Sequence, residues 1–221
     1  MNKDEQAVSR DPKVWSISAE ASLQDLLDSP GCPPLLRQTL SGAMSWQDRN
    51  RRFVRSAVAS PRVAPQWSAA LLALGATVTV QGDGELVEIP VETVLAQKPK
   101  GEIIALNVRM EGVRWGEAHV GRTPADEPIV ASIAGVEMGG ASVRQARVAL
   151  TGAGPVRLAD APSQLVGGPL DKERIQKVAD AIEQEVTPEG DFRGSEEYRR
   201  AVAGVLTRRA LEQCLSEVNH D

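Results

Sequence analysis

Side chains that could do chemistry are sparse in this chain of 221 residues. His119 and His220 are the only histidines, and His220 is the penultimate residue. A Ser–His–Asp centre would have to use one of them, and neither stands in a triad motif. Cys32 and Cys214 are the only cysteines and lie far apart, so no zinc or iron–sulfur spacing exists. No paired-carboxylate or nucleophile constellation stands out, and independent catalysis is not expected. Two free thiols fit a reducing compartment. The start, Met1-Asn-Lys-Asp-Glu-Gln, has no apolar signal region, and no apolar run reaches the roughly 18 residues that a membrane helix needs. The expectation is a soluble, cytoplasmic chain without a membrane partner.

Arginine is the reactive-looking residue that the chain does cluster. Arg51, Arg52 and Arg55 are close enough together to offer charge to an anion. Near the end, Asp191-Phe-Arg-Gly-Ser-Glu-Glu-Tyr-Arg-Arg-Ala is followed by Leu206-Thr-Arg-Arg-Ala-Leu. Arg193, Tyr198 and Arg199 are of the types enriched at interface hot spots: Tyr joins a large apolar area to a polar tip, and Arg makes planar, bidentate contacts. Two readings stay open here. Arg199, Arg200, Arg208 and Arg209 either offer a basic face to an acidic partner or form a solvated helix surface with local ion pairs. Tyr198 equally suits the core beneath its own helix. A net charge of −5 and only 3% aromatic residues argue against nucleic acid as the main partner.

The elements that would position these residues read as α+β. Leu23-Gln-Asp-Leu-Leu-Asp and Leu35-Leu-Arg-Gln-Thr-Leu are helical, the second with Pro at its start. An Arg-, Ser- and Pro-rich loop is expected from about Ser45 to Pro65, then an apolar helix from Trp67. Ala76–Val80 and Leu86–Pro90 flank Gly82-Asp-Gly, a hairpin signal, and Glu102–Val108 reads as a further strand. Ile129–Met138 and Val143–Leu150 look like paired strands around Gly139-Gly140. Asp171 caps a helix whose Ile175, Val178, Ala179 and Ile182 recur at amphipathic spacing. Ser195 caps the last helix, in which Tyr198, Ala201, Val202, Val205 and Leu206 make one apolar arc. The expected divisions are a disordered N-terminus over 1–13, a first domain over 14–122 and a second over 126–217.

The last helix and its approach resemble the flavin-carrying medium subunit of molybdenum hydroxylases, the carbon monoxide dehydrogenase and xanthine dehydrogenase group. Pro155-Val-Arg-Leu, Gly168-Pro-Leu-Asp and Arg193-Gly-Ser-Glu-Glu-Tyr-Arg-Arg are similar in order and spacing to that family's C-terminal domain. Arg49-Asn50, Leu71-Leu-Ala-Leu-Gly-Ala-Thr-Val, Gly101-Glu-Ile-Ile and Gly121-Arg-Thr-Pro-Ala-Asp resemble its middle. The resemblance implies a remnant of the flavin-subunit α/β subdomain followed by a small antiparallel sheet backed by helices. It implies an iron–sulfur subunit and a molybdopterin-binding subunit as partners. It places Ile103 against the ring system of FAD and His119 where the family has a lysine near the flavin.

The flavin loops depart from the family pattern. The chain begins after the point at which the family carries its first, Ala-Gly-Gly-Thr-Ser-like loop. The second normally reads Thr-Ile-Gly-Gly-Asn; here the matching residues are Phe53-Val-Arg-Ser-Ala57, without either glycine. A Cβ hinders the close approach of backbone N–H groups to a pyrophosphate. The resulting expectation is a structural or docking subunit with FAD binding lost. The alternatives are an FAD-binding electron-transfer subunit whose missing flavin subdomain comes from another chain, a loop rewired for anions by Arg51, Arg52 and Arg55, and a stand-alone binding module.

Overall fold

Val14-Trp-Ser-Ile-Ser alternates, and an extended chain turns Trp15 and Ile17 to one side. This is β1 (Val14–Ser18), with both residues buried. The computed structural model describes residues 11, 13–82, 84–97, 99–123 and 126–215. Nearly all of the expected N-terminal disorder and His220 lie outside those residues. The described chain divides into two compact units: residues through Leu71 with Gly75–Glu111, and Leu72–Leu74 with residues from Gly112 onward.

The first unit is built on an antiparallel sheet of order β1-β4-β2-β3, with β2 Thr77–Gly82, β3 Glu85–Pro90 and β4 Glu102–Arg109. The hairpin expected around Gly82 is present, with Thr77 opposite Pro90 and Gly82 opposite Glu85. A polar rung crosses the sheet: Ser16 donates to Asn107 at 2.6 Å, and Asn107 donates to Thr79 at 2.9 Å. Among the described residues the helices of this stretch are α1 Leu23–Asp28, α2 Pro34–Ala43, α3 Trp46–Arg51, α4 Val54–Ala59, α5 Pro65–Leu74, whose last three residues count with the second unit, and α6 Val91–Ala96. Leu23, Leu26, Leu35, Leu36, Leu40, Trp67, Leu71 and Leu106 are its fully buried large side chains. The strands of this unit all run antiparallel, in keeping with the α+β class expected.

The stretch expected as a loop from Ser45 to Pro65 contains α3 and α4. Ser45 starts α3 by accepting from the Asp48 N–H at 3.2 Å. Val54, Ala57 and Val58 of α4 are buried. Composition hid these helices, because six-residue helices show too little periodicity and are held by tertiary packing.

The second unit is a three-stranded antiparallel sheet, β5 Val113–Val120, β6 Val130–Gly139 and β7 Ser142–Thr151, in that order. A 3₁₀ turn (Ala161–Leu165) and helices α7 (Lys172–Glu185) and α8 (Glu196–Gln213) complete it. Asp171 caps α7 as expected, accepting from the Arg174 N–H at 2.9 Å, and Ile175, Val178, Ala179 and Ile182 are buried. Ser195 caps α8 by accepting from the Tyr198 N–H.

The buried face of α8 differs from the expected arc. It comprises Arg199, Ala203, Gly204, Leu206, Thr207, Ala210 and Leu211, while Tyr198, Ala201 and Val205 face outward. Apolar spacing misplaced this face because small and polar residues allow the closest approach. A Cβ on Gly116 of β5 would lie 2.0 Å from the Ala210 carbonyl. Ser132 and Thr207 share a buried hydrogen bond at 3.0 Å.

The expected division at 122–126 falls inside this unit. β5 is paired from Val113–Glu137 to Val120–Val130, and it meets α8 through Gly116. A fragment starting at Gly112 should therefore fold alone, with a cooperative thermal transition by circular dichroism. One starting at Asp126 strips β5 from β6 and should show no such transition.

Candidate functional site

The segment expected to match the second flavin loop, Phe53–Ala57, is strapped by backbone hydrogen bonds. The N–H groups of Val54 and Arg55 donate to the carbonyls of Ala21 and Ala19, each at 2.9 Å. The N–H groups of Ser56 and Ala57 donate to the Phe53 carbonyl at 3.1 and 3.2 Å as α4 begins. In the opposite direction, Leu23 N–H donates to the Arg52 carbonyl at 2.9 Å, and Phe53 bridges to Ser22. All four amides at 54–57 are thus committed to protein carbonyls, and a pyrophosphate would find none free to cradle it. The residues at this loop do not fit the diphosphate of FAD.

The two expected flavin contacts lie in different units. Ile103 is half-buried in β4, opposite Val80, where the register with β2 slips by a bulge. Its position is that of an ordinary sheet residue. His119 is on β5 with an exposed ring, its Nδ1 2.7 Å from Oε1 of Glu117. Glu117 is buried, and its backbone is sewn to Gln213: its N–H donates to Gln213 Oε1 at 3.0 Å and its carbonyl accepts from Gln213 Nε2 at 2.9 Å. With its backbone anchored in this way, Glu117 holds its carboxylate against the imidazole of His119 and orients the ring. Sequence reading singled out His119 but not its partner Glu117, whose alternate-residue spacing on a strand was the available signal.

The expected interface residues separate. Arg199 is 3% exposed and turns inward. Its Nη1 donates to the carbonyls of Ile129 at 2.8 Å and Gly152 at 2.9 Å, its Nη2 to Asp191 at 2.5 Å and its Nε to the Gly194 carbonyl at 3.3 Å. It is an internal clamp, and the expectation of a surface contact at Arg199 is replaced by this structural role. Arg193 is half-buried, beside Asp191 at 3.3 Å and Glu127 at 3.8 Å. Tyr198 is 42% exposed, with its ring laid on the Gly194 backbone. Arg200 pairs with Glu196, and Arg208 with Glu212 at 3.2 Å, so local ion pairs rather than a continuous basic face occupy the helix.

Asp191, which sequence reading passed over, organises the turn before α8. Its carboxylate accepts from the Arg193 and Gly194 N–H groups and from Arg199. The turn closes through paired backbone bonds between Asp191 and Gly194. It holds Phe192 in solvent, 88% exposed. The hydrogen bond from Arg199, aided by those from Arg193, holds the Asp191 carboxyl down at about 2. Elsewhere in the unit, burial pushes the Glu137 carboxyl up, but Arg147 and Arg144 outweigh it and keep it below its usual value. Burial raises the Cys32 and Cys214 thiols to about 11 and about 12, which suppresses thiolate chemistry at both. Among the described residues, no group of three or more His, Cys, Asp and Glu side chains is placed to hold a metal. No helix of the described residues is long and apolar enough to cross a membrane.

A two-unit α+β chain ending in a three-stranded sheet backed by two helices defines the class: it has the fold of a carbon monoxide dehydrogenase medium chain. Residues 119–214 match the CO dehydrogenase flavoprotein C-terminal domain. The carbon monoxide dehydrogenase medium chain of Hydrogenophaga pseudoflava is 25% identical over 92% of this chain and 79% of its own. The glyceraldehyde dehydrogenase medium chain of Sulfolobus acidocaldarius is 22% identical over 90% of this chain and 75% of its own. In structure, a chain of the H. pseudoflava carbon monoxide dehydrogenase lacking the Mo-pyranopterin moiety superposes with a TM-score of 0.78 at 24% identity, covering 94% of this chain and 77% of that one. The family resemblance read from the sequence holds.

The Arg199 clamp gives a direct test. Arg199→Ala leaves the buried Ile129 carbonyl and the part-buried Gly152 carbonyl without this donor, at about 1–3 kcal/mol for the buried one, and should lower the melting temperature. Because the Asp191 carboxyl titrates lower in the folded chain than its ordinary 3.8, the stability it lends is complete above that value. It is lost as pH falls from about 4 toward 2. In Asp191→Asn that part of the acid transition should disappear from a pH series of thermal melts.

Proposed function

We propose that this chain is a medium-subunit-like component of a molybdenum hydroxylase complex that serves in docking and does not hold FAD. The observation that carries the cofactor half of this reading is the strapped segment at 52–57, whose amides are spent on Ala19, Ala21 and Phe53. The family relationship supports the partners, an iron–sulfur subunit and a molybdopterin-binding subunit. No reaction step is assigned to the chain itself. The related chains named above belong to a carbon monoxide dehydrogenase and a glyceraldehyde dehydrogenase, so chains similar to this one serve enzymes with different substrates.

The contact surface proposed is the pinned turn and outer face of α8: Phe192, Tyr198, Val205 and the flanking Arg193. An aromatic ring held in water on a rigid turn gains apolar burial on association with little ordering cost. The alternative is an FAD-binding electron-transfer subunit. It rests on the carboxylate-oriented His119 at a position where the family keeps a cation near the flavin.

Purified native protein should show no visible flavin absorbance and release no FAD on heating; stoichiometric FAD would overturn the cofactor half. Phe192→Ala and Tyr198→Ala should leave the melting temperature of the isolated chain nearly unchanged, since both side chains are substantially exposed. They should weaken co-purification with oxidoreductase subunits, as interface hot spots cost about 2 kcal/mol or more on truncation. Recovery of no oxidoreductase subunit with the unaltered chain would instead favour a stand-alone binding module.

A further inference from the structure

Around the strapped segment the first unit carries exposed arginine and aromatic side chains. Between Ser45 and Arg62 the chain carries five arginines and one acid, Asp48, within a protein of net charge −5. Arg49 and Arg55 are engaged: Arg49 donates to Gln24 at 2.9 Å and to the Met44 carbonyl, and Arg55 pairs with Glu20 while its guanidinium lies 5.7 Å from the Phe53 ring centre. Arg51, Arg52 and Arg62 are exposed, and Asp48, the local acid, is bound to Ser45. Trp46 is 63% exposed and Phe53 40% exposed among them.

We infer that this surface is a docking site for an acidic segment of a partner polypeptide, one that brings two or more carboxylates beside an apolar side chain. Charge complementarity argues for the occupant: outward guanidiniums suit carboxylates in planar, bidentate pairs, and the Trp46 and Phe53 faces suit an apolar neighbour. The rigid backbone between Arg52 and Arg55, bonded in both directions to 19–23, reduces the ordering cost of binding. A phosphate ligand is the poorer match, because the backbone donors that would cradle it are already used. The inference stands apart from the α8 surface and does not depend on a molybdenum hydroxylase partner.

The test is a titration of the full chain with a synthetic Glu-rich peptide containing leucine, followed by tryptophan fluorescence. Trp46→Phe assigns the signal among the four tryptophans. Binding is expected at low salt and should weaken steadily as salt rises. Arg51→Glu/Arg52→Glu should weaken it about tenfold or more, since two favourable pairs become repulsive, with the melting temperature nearly unchanged. Arg62→Glu, in a separate turn, should weaken it by a smaller factor and guards against misfolding of the double variant. Absence of salt-sensitive binding, or binding indifferent to both variants, overturns the inference. So does inorganic pyrophosphate or a single-stranded oligonucleotide that binds this surface as tightly as the peptide.

Discussion

One buried guanidinium organises the second unit. Arg199 joins four points distant in sequence: the entry to β6 at Ile129, the exit of β7 at Gly152, the Asp191 turn and, through its own backbone, α8. A charged group at 3% exposure is tolerable only where its donors are satisfied and its charge is offset. The carbonyls and Asp191 meet both conditions. Gly152 contributes by shape as well: with φ near 73° it swings its carbonyl toward Arg199, and a Cβ there would sit 1.9 Å from the Ile129 carbonyl. The clamp couples sheet and helix with directional bonds, while the apolar contacts of α7 and α8 supply the bulk of the cohesion.

The same clamp shapes the surface. Asp191 is drawn to Arg199, and its remaining lone pairs collect the Arg193 and Gly194 amides. The turn is thereby fixed with Phe192 outward, and Tyr198 settles on the Gly194 backbone. A surface feature suited to contact is thus a consequence of an internal electrostatic requirement.

In the first unit, backbone hydrogen bonding decides which chemistry is possible. The 52–55 strap satisfies its amides within the protein, and in doing so withdraws them from any phosphate. What remains outward is side-chain chemistry, guanidinium and indole, suited to a different kind of ligand.

The sequence by itself determined the local elements with strong signals: the Gly82 hairpin, the β6–β7 pair, the Asp171 and Ser195 caps and the buried stripe of α7. Each depends on residues near one another in the chain, through turn geometry, a capping oxygen or helical periodicity. The order of short motifs also carried the family resemblance, although those motifs say little about geometry. Tertiary structure alone decided that Arg199 points inward, that Tyr198 and Val205 point outward, and that β5 belongs to the second unit. These outcomes depend on partners between eight and about a hundred residues away: Asp191 and Gly152 for Arg199, and Ala210 and Gln213 for β5. A pattern of apolar spacing counts an arginine as surface and an alanine as neutral. The folded chain places them by the carbonyls left to satisfy and by how closely two backbones must approach.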